Sequence, residues 1–452
     1  MRARKAPVAF IALALVGALG LSGCAGGANP QSPGSQVITD TANQPDTTIS
    51  VWVFNKLPTE VQAIQDSIDR LQAKYTWLHV NLVTDKDDTA FAQAVTAGNP
   101  PDVFVTSTPD NVAKFCYDQT VIDMNPLIQA AGLDVNATFP AASLTYTQYD
   151  GKQCGLPLLV DAHALLYNKK LFAAAGITEL PKTLSELFAD VQKLTVRDAS
   201  GKITQWGLTP PRSDYDSQYG FFMGGSVGAP FYDENGKSTF SSNPAWAELL
   251  NWNKQLFDYY GNDQVQDFVA TNSSHTDDAM NPLVTGLSAM EYDGEWHIGE
   301  VATYAPDLDL GVMPMPVPDS RAEIYGAGNV AGNVVFIPSA SKNQQAAFFA
   351  VQQLTTDTEF LTTFATAMSN IPTTFDSLAA WDWASDPNWQ VMIDQTKNPN
   401  SFYKTLTPAG EEDIDAWFQF VQSWQTGKVP DLAAGLATLA SQIDDLNTQA
   451  VS

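Results

Sequence analysis

The chain has 452 residues, 44% of them hydrophobic, and 50 acidic against 23 basic side chains give a formal net charge of −27. So acidic a surface argues against nucleic acid as a partner and serves solubility. With 11 Trp, 14 Tyr and 23 Phe the chain can build a sizeable core, and its length predicts two domains or lobes rather than one.

Arg2, Arg4 and Lys5 precede an apolar run from Val8 to Leu21, a secretory signal over residues 1–23 that is too short to span a membrane. Leu21-Ser22-Gly23-Cys24 resembles the bacterial lipobox, in which the cysteine becomes the first mature residue and carries a lipid. Residues 24–47, rich in Gly, Pro, Ser, Gln, Asn and Thr, read as a disordered tether. An exported, lipid-anchored protein on the extracellular face of the cell membrane follows. Losing the three basic residues of the leader takes the charge from −27 to −30. Two further cysteines, Cys116 and Cys154, form either a disulfide, stabilising by roughly 3 to 4 kcal/mol, or two free thiols.

Thr48 to Phe54 alternates and is β-branched, which predicts a strand closed by a turn at Asn55 to Pro58. A Thr59-x-x-Gln62 capping box opens a helix with Val61, Ile64, Ile68 and Leu71 on one face. A strand near His79 to Val83, a helix near Thr89 to Thr96 and a strand from Asp102 to Val105 follow. This alternation predicts an α/β fold with a parallel sheet wrapped by helices. Ligands bind beyond the carboxyl ends of such strands; here those ends are Asn55 and Lys56, Thr84 to Asp88, and Thr106, Ser107 and Thr108, all polar.

Gly155 to Lys169 is the central stretch. Alternation sends Leu158, Val160, Ala162 and Ala164 to one face and Leu159, Asp161, His163 and Leu165 to the other, so the strand is buried on both. A carboxylate inside such a run is expensive unless it is satisfied or faces a cavity. Asp161 is therefore either held by backbone or by His163, or lines a polar cleft and accepts hydrogen bonds from a ligand.

Thr183 and Glu186 form a second capping box, and Asp198 to Lys202 and Asp233 to Lys237 are hairpin turns. Tyr219 to Gly228 sets Phe221 and Phe222 among four glycines, either as core or as an aromatic wall beside a loop. Asn243-Pro244 caps a helix carrying Trp246, Leu249, Leu250, Trp252 and Leu256. Gly286 to Gly299 predicts a strand, a turn at Asp293-Gly294, and Trp296 just beyond. The glycine-rich run Tyr325 to Gly332 leads into an apolar strand, Asn333 to Pro338, and so is no nucleotide loop. Helices from about Asn343, from Thr358, from Thr407-Pro408 and from Leu432 to Leu446 complete the chain.

The four histidines are scattered, with no zinc motif, and no spacing suggests haem, an EF-hand, a G-x-S-x-G elbow or a Walker lysine. No catalytic residue, cofactor or metal is expected. Aromatic surface beside hydrogen-bonding groups suits a sugar, whose C–H faces stack while its hydroxyls bond.

Asn99-Pro-Pro-Asp-Val-Phe104, Gly155-Leu-Pro157 with Leu166-Tyr-Asn-Lys169, Ala289-Met-x-x-Asp-Gly-x-Trp296, Gly311-Val-Met-Pro-Met-Pro316 and Ile337-Pro-x-x-Ser341-Lys together resemble extracellular solute-binding protein family 1. These are the capture subunits of ABC sugar importers. The resemblance implies a two-lobe periplasmic-binding-protein type II fold with hinge strands, a monomer that delivers an oligosaccharide to permease transmembrane subunits. One lobe would combine 48–157 with 333–376 and the other 160–330 with 380–452, crossing at Pro157 to Asp161, Val330 to Val334 and Phe375 to Ala380. It implies ligand contacts from Asp161, the stacking Trp296, Asn55, Lys56, Thr106, Ser107, Thr108, Phe221, Phe222 and Asn329, with a further region near Thr407 to Glu412 where Tyr403 is the nearest aromatic. His163 has no fixed role in the pattern, and a structural hydrogen bond is expected of it. A surface glycoside hydrolase and a binder of a non-sugar solute such as a polyamine are the alternatives.

Overall fold

A computed structural model describes residues 36–212, 220–276 and 278–452. The expected leader, Cys24, the first half of the tether and Tyr219 lie outside these residues. The rest of the tether is not free chain. Val37 and Ile38 pack against the core, and Asp40 accepts a hydrogen bond from the Ala42 amide at 3.0 Å; two β-branched side chains within reach of apolar surface are enough to pin the segment.

Eight strands make up two sheets joined through a shared strand, β4: β1 (Thr47–Val53), β2 (Leu78–Val83), β3 (Val103–Thr106), β4 (Leu156–Asn168), β5 (Met290–Gly294), β6 (Leu310–Met313), β7 (Val330–Phe336) and β8 (Ile371–Pro372). The order is β6-β4-β7-β3-β1-β2, with β5 and β8 also paired to β4. β1 pairs in parallel with β2 and β3, as the strand–helix alternation predicts, and the remaining pairings are antiparallel.

β4 is 13 residues long because it serves two sheets. Leu156 to Ala162 lie against β7, with Leu159 and Val160 also against β8. From His163 to Asn168 the partners are β5 and β6. Partners on both edges and cover on both faces explain its unbroken apolar sequence. The architecture is two α/β lobes with strands passing between them. At the expected third crossing, Phe375–Ala380 is a helix, capped by Thr374 and Ser377; the residues that lie against β4 are those of β8.

Each lobe has an aromatic nucleus. In the first, Phe91 stacks on Phe104 at 4.2 Å and Phe115 stands edge-on to Phe91 at 5.3 Å. In the second, Phe240 stacks on Trp417 at 4.5 Å, with Trp246 edge-on to Trp417 at 4.8 Å. Phe221 and Phe222 belong to this packing: Phe221 meets Trp252 and Tyr292, and the Phe222 carbonyl accepts from Trp417 Nε1 at 3.0 Å.

Two expected helix starts differ. The helix Pro58–Lys74 begins at its proline with Leu57 at the cap position and no side-chain cap, so Thr59 and Gln62 form no capping box; proline at the first position presets φ for the helix and leaves no amide there to satisfy. Thr407 and Pro408 precede their helix, Glu412–Gln425, by several residues, because the Thr407 hydroxyl is turned to Asp413 Oδ2 at 3.2 Å. The Thr183 and Glu186 capping box and the Asn243 cap form as the sequence predicts. Cys116 and Cys154 are joined as a disulfide, tying a short helix to the segment that feeds β4.

Candidate functional site

The lobes meet around a cavity of about 880 Å³. Its floor is made where β4 changes sheets: Asp161 and His163 from β4, Ala331 from β7 and Asn329 just before it. One wall is the loop after β3, Ser107 to Asp110. The other wall comes from the second lobe, with Trp296 at the start of the helix Trp296–Tyr304, then Tyr403, Glu411 and one face of the helix Glu412–Gln425. On that helix Ile414, Asp415 and Phe418 face the cavity while Trp417 and Val421 face the core. A second hollow of about 710 Å³ adjoins it, sharing Thr108 and Glu411 and running along Asp87, Asp88 and Gln93.

Asp161 does not stand alone. Asn370 Nδ2 donates to Asp161 Oδ1 at 2.6 Å and to Glu295 Oε1 at 2.7 Å, and Glu295 Oε2 accepts from the Ala162 amide at 2.7 Å. The Asn370 amide thus bridges the two carboxyls. Burial pushes Asp161 up to about 7, even though the bonds from Glu295 and Asn370 favour its charge. Glu295 rises well above the carboxylate range, first from burial and then from the charge of Asp161. Both carboxyls are pushed toward their protonated forms, Glu295 further than Asp161, so the pair gives up its protons only at or above neutral pH and Asp161 turns a braced carboxyl to the cavity.

His163 is the reverse case. Burial alone lowers it to about 4, so its imidazole is neutral. Its ring lies near-parallel to Tyr292 at 5.9 Å and edge-on to Trp296 at 5.3 Å.

The walls touch each other beside the cavity. Tyr403 Oη donates to Asp110 Oδ1 at 2.8 Å, and the fully buried Lys404 Nζ stands 3.5 Å from the same oxygen and 2.6 Å from Asp413 Oδ1. Burial raises Asp110, opposed by Lys404 and Tyr403. His297 and its acids lie apart from the cavity; burial works against its charged form, but Glu300, Asp293 and Glu291 raise it to about 9. Among the described residues no group of three or more His, Cys, Asp or Glu is placed to hold a metal.

Of the residues expected to meet a ligand, the structure brings Asp161, Trp296, Ser107, Thr108 and Asn329 to the cavity, with Tyr403 and Glu411 from the further region. Others sit elsewhere. Phe221 and Phe222 are core, at 1% and 0% exposure. Asn55 is buried, donating to Glu60 Oε2 at 3.2 Å, and Thr106 donates to Asp88 Oδ1 at 2.5 Å; neither lines the cavity, nor does the exposed Lys56. Asn55 and Thr106 turn to neighbouring carboxylates instead. Glu295 and Asn370 were not foreseen, nor were Asp110, Asp415 and Phe418 as wall residues. A glutamate directly before Trp296, in a run ending a buried strand, was the one available signal.

A cleft between two lobes, floored by a strand common to both, defines a hinge-type binding protein. Residues 55–363 match the model of the bacterial extracellular solute-binding proteins. The chain belongs to that family, whose members are binders rather than enzymes, and this overturns the glycoside hydrolase alternative. A binding protein of Brucella abortus (strain 2308) is 29% identical over 197 residues, the match spanning 44% of this chain and 45% of that protein. The maltotriose-binding protein of Pyrococcus abyssi (strain GE5 / Orsay) is 22% identical over 341 residues, covering 75% of this chain and 69% of its own. Among solved structures, a mannotriose-bound protein superposes with a TM-score of 0.74 at 24% identity, covering 88% of this chain and 99% of that one, a likeness of fold.

Proposed function

We propose that the protein captures an oligosaccharide between its lobes and hands it to the transmembrane subunits of an ABC permease, as a monomer held at the outer face of the membrane by a lipid on Cys24. The lobes are taken as 48–157 with 333–376 and 160–330 with 380–452. The observation that carries this is the pairing of floor and wall: a braced carboxyl, Asp161, on the floor and an indole, Trp296, on the wall of a space of about 880 Å³. An aromatic face takes the C–H side of a sugar ring and the carboxylate takes its hydroxyls. The names of relatives that bind maltotriose and mannotriose support the same ligand class.

A polyamine is the second reading, favoured by one observation: Asp110, Asp161, Glu411 and Asp415 line the cavity with no Lys or Arg among its described lining residues. Titration calorimetry of the mature protein with maltotriose, mannotriose, N,N′-diacetylchitobiose and spermidine separates the two. Saturable heat with a glycan supports sugar capture; binding of spermidine alone replaces it with the second reading.

A further inference from the structure

Two polar side chains on the cavity floor lack the partners that burial demands. His163 is 8% exposed and Asn329 is 1% exposed, and both line the cavity. Yet His163 Nδ1 and Asn329 Oδ1 have no hydrogen-bond partner among the described residues. Native proteins rarely leave such atoms unmade unless a ligand or water completes them.

The two residues are also tied together and held still. The His163 amide donates to the Asn329 carbonyl at 3.4 Å, joining their backbones at the floor. The His163 ring is fixed by Tyr292 and Trp296 on two sides. On a third side Gly220 presses so close that a Cβ there would meet the ring at 2.7 Å. Packing alone would be served as well by an apolar ring, which would have no unsatisfied nitrogen. Asp161, two residues along the same strand face, has its own carboxyl braced by Glu295 and Asn370, so it is not the missing partner.

We infer that His163 is a ligand contact rather than a packing residue, and that with Asn329 it forms a neutral clamp for one hydroxyl group of the bound glycan. A hydroxyl both donates and accepts, which matches an uncharged imidazole, one nitrogen donor and one acceptor, beside an amide oxygen. The clamp stands next to Asp161 and Trp296, so it acts on the sugar unit stacked on the indole and adds discrimination among epimers at that unit. This rests on the sugar-binding reading above.

With only four histidines, His79, His163, His275 and His297, the imidazole nitrogens can be followed by NMR in mature protein carrying 15N-labelled histidine. His163→Phe, which keeps a ring against Tyr292 and Trp296, assigns the signals and serves as the binding variant. On addition of maltotriose or mannotriose, whichever gives calorimetric heat, the His163 nitrogens should shift while those of His79 and His275 stay. His163→Phe should bind the same sugar at least tenfold more weakly with an unchanged melting temperature. Sugar binding with unmoved His163 signals overturns the inference and leaves the sugar reading intact, even where the variant fails to fold. Absence of heat from wild-type protein with every glycan overturns both.

Discussion

Asp161→Asn should make the ligand-free protein less sensitive to alkaline pH. Asp161 climbs from 3.8 to about 7 in the folded state because burial disfavours its charge. A folded state that holds the proton more tightly than the unfolded one is favoured at low pH, and that advantage disappears as pH rises through the folded value. Each tenfold change in proton affinity is worth about 1.4 kcal/mol. Between pH 5 and 8 the wild type should thus lose roughly 3 kcal/mol through this carboxyl, or about 2 allowing for water in the cavity. Asparagine keeps an acceptor for Asn370 and a donor for Glu295 but does not titrate, and it lowers the like-charge pressure on Glu295. Its stability relative to wild type should therefore improve by about 2 to 3 kcal/mol from pH 5 to pH 8. Urea unfolding of both proteins at the two pH values measures this, away from the pI near 4.2. A gap between them that stays constant within about 0.5 kcal/mol refutes the raised proton affinity of Asp161.

Trp296→Ala should weaken glycan binding by about 1 to 3 kcal/mol in calorimetry, as truncation of a central aromatic anchor does; an unchanged Kd counts against stacking. Asp110→Ala removes the acceptor for Tyr403 and the second acid near Lys404, so it should cost about 1 to 3 kcal/mol in urea and enlarge the radius of gyration of the ligand-free protein in solution scattering. An unchanged radius would show that this contact does not hold the walls together. Replacing both Cys116 and Cys154 by serine frees a loop of sequence separation 38 and should cost roughly 4 kcal/mol, read as a lower urea midpoint; an unaltered midpoint would refute the stabilising role.

Asp161 was legible because an acid within an apolar strand breaks a rule, and a broken rule needs a local cause. Its brace was not legible. Asn370 is 75 residues from Glu295 and 209 from Asp161, and no periodicity links positions that meet only after three segments converge. Phe221 and Phe222 show the opposite limit, since aromatics flanked by glycine read alike whether they wall a cavity or pack a core. Only the neighbours Trp252, Tyr292 and Trp417 distinguish the two. The helix near Thr407 begins late for a similar reason: Asp413, in its first turn, is engaged by Lys404, Tyr232 and Thr407, and those long-range bonds outweigh the local cap signal.

β4 changes sheets between Ala162 and His163, and the cavity floor is built from the residues on either side of that step. A rotation of one lobe against the other therefore swings the walls while the floor stays on the axle. On the proposed function, a solute reaching an open molecule would find Asp161, His163 and Asn329 already in their final places, so substitutions on that strip should act on the rate of capture and those at Tyr403, Asp110 and Phe418 on the residence time.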